Sequence, residues 1–355
     1  MKNYIKYFKN KKVLITGHTG FKGSWLTIFL LNCGANILGV SKNIPTKPSL
    51  FETLQLKKKI KNKKIDIRDL KKIKKIFLKF DPDYVFHLAA QSIVSKSYKD
   101  PLETWTTNLI GTVNILECLK LQKKNSVSVI ITSDKTYKNI ETRKGYKETD
   151  ILGGVDPYGA SKSSADIAIK SYIKSFFDIS NNNKIIGVAR AGNVIGGGDW
   201  SMDRLIPDCF KKWIKNQKVI IRNPNATRPW QNVIDVIIGY ITLAIKLKIN
   251  KKLHGEAFNF GPYEKKNYKV IEILNLIKKQ YPKAQWKIKR NKKRFFENSL
   301  LNLDSQKAYK FLNWKSKVNF TNNVKLTIEW YKEFSKKPSN MNKFSLNQIN
   351  KVLKF

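Results

Sequence analysis

A tyrosine and a lysine, Tyr158 and Lys162, stand four residues apart in the segment Asp156-Pro157-Tyr158-Gly159-Ala160-Ser161-Lys162. Asp156 suits the N-cap of a helix and Pro157 suits its first turn, so the segment predicts a helix with both side chains on one face. A lysine ammonium beside a phenol favours the phenolate, which can take a proton from an alcohol. The pair therefore predicts a proton-transfer site, although the spacing alone also fits a solvated pair on a helix surface.

A second group of reactive side chains, Ser133, Asp134 and Lys135, follows the apolar run 127–132, which we interpret as a strand. Ligands of doubly wound sheets bind outside the carboxyl ends of the strands. There, Ser133 suits a hydrogen bond to a substrate oxygen and Asp134 suits protonation of a leaving hydroxyl. Lys135, when desolvated enough to be partly neutral, suits removal of a carbon-bound proton. Alone, the triplet fits a solvated turn better; followed by Tyr158 and Lys162, it indicates a catalytic site.

A glycine-rich turn lies near the start of the chain, where Gly17, Gly20 and Gly23 separate a short β-branched run at 12–16 from an apolar segment at 24–32. Glycines at this spacing between a strand and a helix let the backbone approach a pyrophosphate at the helix N-terminus. The turn predicts dinucleotide binding.

Apolar runs recur along the chain at 12–16, 35–40, 64–67, 84–91, 127–132, 185–190 and 257–262, separated by helical patterns. This alternation predicts an α/β fold: a doubly wound parallel Rossmann sheet with a smaller, mixed α/β C-terminal substrate domain. We assign 1–188 plus about 231–261 to the NAD-binding domain and 189–230 plus 262–335 to the substrate domain. The Lys-, Asn- and Ser-rich stretch 336–355 predicts a loose tail.

The composition excludes several classes of protein. The net charge of +43 comes from lysines scattered over every segment, so it predicts no specific nucleic-acid partner, although it would attract an anionic nucleotide. Three cysteines, odd in number and far apart, argue against a disulfide framework and against a metal site such as zinc. No apolar run approaches the roughly 18 residues of a membrane span, and the start lacks a signal-peptide block, so we expect a cytoplasmic protein without membrane contact.

Anion ligands are predicted in the second half of the chain. Asn193 lies in a glycine-dense loop at 190–200, and Arg204 stands where a helix begins whose first turn suits a diphosphate. Arg222 and Arg228 stand in proline-bounded turns that suit bidentate phosphate recognition. Of the histidines, His87 lies inside an apolar strand and is interpreted as a core residue, whereas His18 and His254 are given no chemistry.

Several longer motifs accompany the glycine turn and the Tyr158–Lys162 pair. They are Thr132-Ser133-Asp134-Lys135, Ile151-Leu152-Gly153-Gly154, Arg190-Ala191-Gly192-Asn193-Val194-Ile195-Gly196-Gly197-Gly198-Asp199-Trp200 and Arg228-Pro229-Trp230-Gln231. With them the chain, from about Lys12 to Trp314, resembles the extended short-chain dehydrogenase/reductases that act on sugar nucleotides. Asp-Lys after Ser133 is similar to the CDP-glucose 4,6-dehydratases, whereas dTDP-glucose dehydratases typically carry Asp-Glu.

This resemblance implies NAD as cofactor and a redox-neutral dehydration of CDP-glucose to CDP-4-keto-6-deoxyglucose, in deoxysugar biosynthesis. It gives Tyr158 the proton of the 4-hydroxyl, Lys135 the C5 proton and Asp134 the departing 6-hydroxyl. It also implies a homo-oligomer, dimer or tetramer, and places the nucleotide on Asn193, Arg204, Arg222 and Arg228. The cofactor contacts expected from the turn and the resemblance are Gly17, Thr19, Gly20, Phe21, Lys22, Gly23, Asp66, Ile67, Leu88, Ala89, Ala90, Gln91, Asn108, Thr132, Tyr158 and Lys162.

Alternatives stay open on sequence alone. Ser41-Lys42 stands where many such folds place an acidic ribose ligand, so the sequence itself does not decide between NAD and NADP. The substrate is alternatively a dTDP-, GDP- or UDP-linked sugar, and the reaction alternatively a 4-epimerisation. A non-catalytic, basic, nucleic-acid-associated protein on a Rossmann scaffold is the remaining alternative.

Overall fold

Parallel strands form the centre of the computed structural model, which describes residues 1–142, 144–178, 183–264, 266–289 and 300–355. The strands are β1 (Lys12–Thr16), β2 (Asn36–Ser41), β3 (Lys61–Lys64), β4 (Tyr84–His87), β5 (Ser126–Ile131), β6 (Lys184–Ala191), β7 (Val194–Ile195), β8 (Val219–Ile221), β9 (Thr227–Arg228), β10 (Gln231–Asn232), β11 (Ala257–Phe260), β12 (Tyr268–Lys269) and β13 (Trp286–Ile288). Seven of them form one sheet in the order β11-β6-β5-β4-β1-β2-β3, with every neighbouring pair parallel. The predicted doubly wound parallel sheet is confirmed.

Helices cover both faces of this sheet. They are α1 (Lys2–Phe8), α2 (Phe21–Asn32), α3 (Leu50–Thr53), α4 (Leu70–Phe80), α5 (Val94–Lys99), α6 (Pro101–Trp105), α7 (Gly111–Leu121), α8 (Pro157–Phe176), α9 (Leu205–Trp213), α10 (Val233–Ile249), α11 (Val270–Gln280), α12 (Gln306–Leu312), α13 (Phe320–Lys336) and α14 (Met341–Lys354). Within the described ranges, none is long and apolar enough to cross a lipid bilayer.

Burial of both sheet faces explains why the strands are apolar along their whole length. Neighbouring residues of β1 point to opposite faces, with Val13 in the core under α2, α10, α13 and α14 and Leu14 in the core under α4, α7 and α8. The strand order reverses between β1 and β4, which opens a crevice at their carboxyl ends. That crevice lies beside the glycine turn after β1.

The small strands of the second half pair only among themselves, β7 with β10, β8 with β13 and β9 with β12. β11 returns to the central sheet beside β6. The division into a NAD-binding and a substrate domain stays a prediction, and β7 and β10 pair across its predicted boundary near residue 231. Part of the predicted substrate domain, 265 and 290–299, lies outside the described residues.

The predicted third strand, 64–67, overlaps the observed strand only at Lys64. The strand is the lysine-rich β3, which pairs through its backbone from Lys61 opposite Leu38 to Lys64 opposite Ser41, and not the apolar run 64–67. β3 is an edge strand, where exposed charged side chains are tolerated because only the backbone must pair. Ile67 is buried instead by α7, against Gly111.

The prediction of a loose tail over 336–355 was also wrong. After the end of α13, residues 341–354 form α14, whose Met341, Ile349 and Val352 are buried in the main core. The scattered polar residues occupy the outer face of an amphipathic helix, so the composition alone concealed a packed element.

Truncation inside α14 tests this packing. We expect Ile349→Ala, at a position 1 % exposed, to lower the free energy of unfolding by about 2–5 kcal/mol because it leaves a cavity in the core. Asn350→Ala, at the exposed neighbouring position, is the matched control and leaves stability nearly unchanged. Equal effects of the two substitutions in urea unfolding would show that α14 does not pack.

His87 is a satisfied core histidine, as predicted. Its Nδ1 lies 2.7 Å from Thr16 Oγ1 and its Nε2 lies 3.1 Å from Thr112 Oγ1. Burial, together with the smaller effect of the positive charge of Lys162, lowers the pKa of His87 to about 3.

This histidine makes stability depend on pH. In the unfolded chain, His87 binds a proton below its ordinary pKa of 6.5. In the folded protein it binds that proton only below about pH 3, because its pKa there is about 3. The contribution of His87 to the free energy of unfolding is therefore complete above pH 6.5. It is lost as the pH falls towards 3, by up to about 1.4 kcal/mol per pH unit. We expect His87→Gln to flatten the pH dependence of guanidinium unfolding in this window; curves that stay parallel to the native ones would contradict it.

Candidate active site

The helix that carries Tyr158 and Lys162 begins as the sequence predicts. The Asp156 carboxylate accepts hydrogen bonds from the backbone N–H groups of Tyr158 and Gly159, both at 3.0 Å, and Pro157 occupies the first turn of α8. Both functional side chains are buried, Tyr158 at 8 % and Lys162 at 5 % exposure. A solvated pair on a helix surface is therefore excluded.

The second group of reactive side chains lies on a short 3-10 turn, Asp134–Thr136, directly after β5. The Ser133 hydroxyl donates to Asp134 Oδ1 at 2.8 Å and accepts from the backbone N–H of Lys135 at 3.2 Å. Ser133 and Asp134 are buried, whereas Lys135 is half-buried and lines a pocket with Asp156. The turn thus presents an acid and an amine on neighbouring residues.

A backbone clamp joins this turn to the start of α8. Lys138 N–H donates to the Ile151 carbonyl at 2.8 Å, and Gly153 N–H donates to the Thr136 carbonyl at 2.9 Å. Gly154 lies so close to α8 that an added Cβ would stand 2.1 Å from the carbonyl carbon of Gly159. This contact explains the glycine in the Ile151-Leu152-Gly153-Gly154 motif, because a side chain there would push the two catalytic segments apart.

A buried ion pair supports the turn from below. Arg190 of β6 and Asp166 of α8 are both essentially unexposed, and Arg190 donates Nη2 to Asp166 Oδ1 at 2.9 Å and Nε to Oδ2 at 3.3 Å. Thr136 Oγ1 donates to Asp166 Oδ2 at 2.8 Å, and Arg190 Nη1 donates to the Tyr137 hydroxyl at 2.8 Å. Tyr137 in turn donates to Asn259 Oδ1 of β11 at 2.7 Å. Thr136 and Tyr137, the two residues after Lys135, are therefore hydrogen-bonded to α8, β6 and β11.

Burial is the main influence on the ionisation of the site. It raises the pKa of Asp134, against the opposing effects of Lys135, Ser133 and Lys22, so this carboxyl holds its proton more strongly than an exposed aspartate. It lowers the pKa of Lys162 to about 8, against the opposing charge of Asp166. An acid that holds its proton more strongly and a lysine that releases its own more easily are suited to proton transfer.

One expectation about Tyr158 is corrected. Burial raises the pKa of its phenol to about 12; a hydrogen bond with Ser133 and the charge of Arg204 oppose this rise, and Asp134 adds to it. Lys162 donates instead to the Ile131 carbonyl at 3.4 Å. Tyr158 is consequently a neutral phenol at neutral pH in this state, because loss of solvation outweighs the hydrogen bond with Ser133 and the charge of Arg204.

The glycine turn after β1 has the close packing that a dinucleotide site needs. Gly17 has a positive φ of 75°, and a Cβ there would stand 2.7 Å from the backbone nitrogen of Ala89; a Cβ on Gly23 would stand 2.1 Å from the Gly17 carbonyl oxygen. Thr132, at the end of β5, has a buried hydroxyl that finds no hydrogen-bond partner among the described residues. The tight turn and this unsatisfied donor fit a bound dinucleotide.

Two of the other predicted cofactor contacts, Asn108 and Asp66, form hydrogen bonds within the protein. Asn108 fixes the segment after β4: its Oδ1 accepts from Gln91 N–H at 2.8 Å, and its Nδ2 donates to the Gln91 carbonyl at 3.1 Å and to Ser161 Oγ at 2.9 Å. With both of its side-chain ends bound to protein, Asn108 positions other residues. The Asp66 carboxylate is likewise held by Arg68 at 2.7 Å.

Among the predicted substrate ligands, Arg204 reaches the catalytic pocket. It forms an ion pair with the buried Asp199 at 3.2 Å and acts electrostatically on Tyr158. Gly192, next to the exposed Asn193, lies against Asp134, since an added Cβ would stand 2.9 Å from Asp134 Oδ2. Arg222 follows β8 and Arg228 lies in β9, so the substrate roles of Asn193, Arg222 and Arg228 stay predictions.

Sequence reasoning missed three residues of the site. His18, given no chemistry, joins the glycine turn to the sheet through Ser41 Oγ at 2.9 Å and Asn62 Oδ1 at 2.7 Å. Tyr240 was hidden in the apolar helix α10, and Asp166 was one more polar residue of α8. Only the helical spacing of Asp166, four residues after Lys162, gave a signal for any of them.

Comparisons with known proteins agree with this geometry. Residues 14–327 match the family model described as GDP-mannose 4,6 dehydratase. The CDP-glucose 4,6-dehydratase of Salmonella typhimurium is 40 % identical over 331 residues, which cover 92 % of each chain.

Solved structures share the architecture over most of both chains. An epimerase from Methanothermobacter thermautotrophicus has a TM-score of 0.81 at 24 % identity, covering 95 % of this chain and 96 % of that one. The UDP-glucuronic acid 4-epimerase of Bacillus cereus, in complex with UDP-glucuronic acid and NAD, has a TM-score of 0.77 at 25 % identity, covering 91 % and 99 %. From the glycine turn, the buried catalytic turn and a family model that spans 14–327, we conclude that the chain belongs to the GDP-mannose 4,6 dehydratase family.

Proposed function

We propose that the protein is a hydro-lyase that dehydrates CDP-glucose to CDP-4-keto-6-deoxyglucose with NAD as cofactor. The observation that carries this proposal is the buried Asp134, a proton-retaining acid, beside Lys135 on the turn that faces Tyr158. The nucleotide is taken from the 40 % identical relative, which is a CDP-glucose 4,6-dehydratase. The resemblance of Ser133-Asp134-Lys135 to that type supports the same choice.

The first half of the reaction oxidises the sugar at C4. The glycine turn at 17–23 would hold NAD, which would supply the acceptor for the C4 hydride and the donor of hydride to C6. Tyr158 takes the proton of the 4-hydroxyl, and Ser133, already hydrogen-bonded to Tyr158, holds the same oxygen. Because free Tyr158 is a phenol, its pKa must fall when the ligands bind, and the positive charges of Lys162 and Arg204 stand in the same pocket to stabilise a phenolate.

The second half removes water. The new C4 ketone acidifies the C5 proton, which Lys135 takes while the electron pair forms the C5–C6 double bond and the C6–O bond breaks. Asp134 gives its proton to the departing oxygen, which leaves as water. Hydrogen return to C6 and protonation of C5 by Lys135 complete a redox-neutral turnover.

The acid and amine pair distinguishes this reaction from 4-epimerisation. An epimerase inverts configuration at C4 and breaks no C–O bond, so it needs neither a buried acid nor a second base. In this chain, the acid is retained in a buried turn at the cost of desolvation, and the ion pair of Arg190 and Asp166 supports it. The arrangement favours the elimination.

The end of β2 favours NAD over NADP. Lys42, which stands where many such folds place the acidic ribose ligand, lies 3.3 Å from Glu103 Oε1 and 3.6 Å from Asp66 Oδ2. A 2′-phosphate there would meet two carboxylates that already share the lysine charge. The ion cluster thus supports the cofactor that the family resemblance implies.

In this proposal, the nucleotide of the substrate lies between the NAD-binding domain and the smaller substrate domain. Its ligands are Asn193, Arg204, Arg222 and Arg228. The protein acts in the cytoplasm as a dimer or tetramer, as the family resemblance implies. Light scattering of the purified protein measures this oligomeric state directly.

The central experiment incubates the purified protein with CDP-, dTDP-, GDP- and UDP-glucose and follows loss of water by mass spectrometry. We expect CDP-glucose to react fastest and Tyr158→Phe to lower kcat by about 10²–10⁴-fold, because the base for the 4-hydroxyl is lost. Tyr172→Phe, which removes the hydroxyl bonded to Glu117 elsewhere on α8, is the control and keeps native activity. A product of unchanged mass would favour an epimerase.

Lys135→Met separates the two halves of the reaction. Without the base for C5, we expect oxidation at C4 to proceed and elimination to stop, so the near-ultraviolet absorbance of reduced nicotinamide accumulates under single-turnover conditions. Lys138→Met, at the exposed position three residues on, leaves the full turnover intact. If Lys135→Met still expelled water at the native rate, Lys135 would not be the C5 base.

A further inference from the structure

The glycine-dense loop and the residues after it run along the edge of the crevice. An added Cβ on Gly196 would stand 3.5 Å from the ring of Phe21, which belongs to the glycine turn. Further along, the Asp203 carboxylate accepts a hydrogen bond from Ser95 Oγ at 2.6 Å, in the helix that follows the carboxyl end of β4. Arg204, the next residue, is therefore placed beside the crevice by contacts on both of its flanking strands.

The guanidinium of Arg204 is directed by Asp199. This aspartate is 2 % exposed, and its Oδ2 accepts from Arg204 Nη1 at 3.2 Å. Its Oδ1 accepts from the backbone N–H and the hydroxyl of Ser201, at 3.0 Å and 2.7 Å. The Arg204 side chain is 34 % exposed, so part of it remains accessible to an anionic ligand. The direction of the guanidinium thus depends on where Asp199 stands.

Tyr331 of α13 holds the residues on both sides of Arg204. Its hydroxyl donates to the Asp199 carbonyl oxygen. Its ring stacks on Phe210 of α9, the helix that begins directly after Arg204, with ring centres 4.0 Å apart and planes inclined by 12°. Tyr331 is 1 % exposed, and burial raises the pKa of its phenol well above the ordinary value. The hydroxyl therefore keeps its proton and remains a hydrogen-bond donor.

Helix α14 secures the part of α13 that carries Tyr331. The neighbouring Trp330 donates its indole N–H to Ser345 Oγ of α14 at 3.0 Å. The same indole packs on the glycine-dense loop, where an added Cβ on Gly197 would stand 1.9 Å from Trp330 Cγ. The two C-terminal helices consequently rest directly on the loop that leads to Arg204.

We propose that Tyr331 is a positioning residue for the substrate: through the Asp199 backbone and the Phe210 ring, it holds Arg204 at the edge of the crevice, where the guanidinium binds the diphosphate of the nucleotide sugar. This inference rests on the proposed function, in which Arg204 is a substrate ligand. Tyr331 itself touches neither the sugar nor the cofactor. Its hydroxyl therefore supports nucleotide affinity and takes no part in the chemical steps.

The test is a double-mutant cycle of Tyr331→Phe and Arg204→Ala, in which calorimetry measures the binding of CDP to the NAD-loaded protein. Tyr331→Phe removes the hydroxyl and keeps the stacked ring. We expect it to weaken CDP binding about tenfold, the loss typical of one buried hydrogen bond, and to raise KM for CDP-glucose with little change in kcat. In the Arg204→Ala background, we expect the same substitution to change CDP affinity by less than about twofold, because Tyr331 acts through Arg204.

Two further variants complete the experiment. Phe210→Leu removes the stacked partner of Tyr331, and we expect it to weaken CDP binding in the same direction, again only when Arg204 is present. Tyr84→Phe is the matched control: Tyr84 is a buried tyrosine of β4 that packs on Phe8, and we expect its loss of a hydroxyl to leave CDP affinity native.

NAD affinity separates positioning of the substrate from a general effect on the fold. We expect Tyr331→Phe to bind NAD as the native protein does; a parallel loss of NAD affinity would overturn the inference and make its role structural. An equal loss of CDP affinity with and without Arg204 would also overturn it. Because the cycle needs no turnover, a native protein that binds CDP but expels no water from CDP-glucose would contradict the proposed dehydration alone. A native protein that binds no CDP would overturn both.

Discussion

The buried ion pair between Arg190 and Asp166 is the interaction on which the geometry of the site depends. Two opposite charges without solvent access must compensate one another, and here they do so through two hydrogen bonds. Asp166 also accepts a hydrogen bond from Thr136, and Arg190 also donates one to Tyr137; these are the two residues after Lys135. Removal of either partner would leave the other charge buried and uncompensated, at a cost of about 3–5 kcal/mol. The pair therefore holds β6, α8 and the turn after β5 together.

In the site that this ion pair supports, a single physical effect shifts the pKa values of the other groups. Loss of solvation disfavours whichever form is charged, so it raises the pKa of Asp134 and Tyr158 and lowers that of Lys162 and Lys22. Neighbouring charges then adjust each group in the opposite direction. Asp166 returns part of the positive charge to Lys162. One helix turn thus connects the structural ion pair to the catalytic lysine.

Charge is distributed differently at the surface and in the site. The chain carries 69 basic against 26 acidic residues, and most of the lysines are exposed, as on β3 and α4. In the site, by contrast, acids and bases lie side by side: Asp134, Asp166 and Asp199 stand among Lys22, Lys162, Arg190 and Arg204. Burial favours this arrangement, because an unpaired charge costs little in water and much in the protein interior.

The sequence alone determined the elements whose signals are local. The strand before the glycine turn, the cap and first turn of α8, and the identities of the acid, amine and phenol follow from neighbouring residues and spacing. It did not determine β3 or α14, because an edge strand pairs through its backbone and an amphipathic helix of mixed composition shows its apolar face only when packed.

Tertiary structure alone decided the ionisation of Tyr158, the partners of His18, and the meeting of Lys22 with Tyr240 across 218 positions of the chain. The reason is that burial and distance between remote residues govern these properties, and neither quantity is contained in the order of residues along a segment. The sequence determines which chemical groups are present, whereas the fold determines how far each is buried and which groups lie beside it.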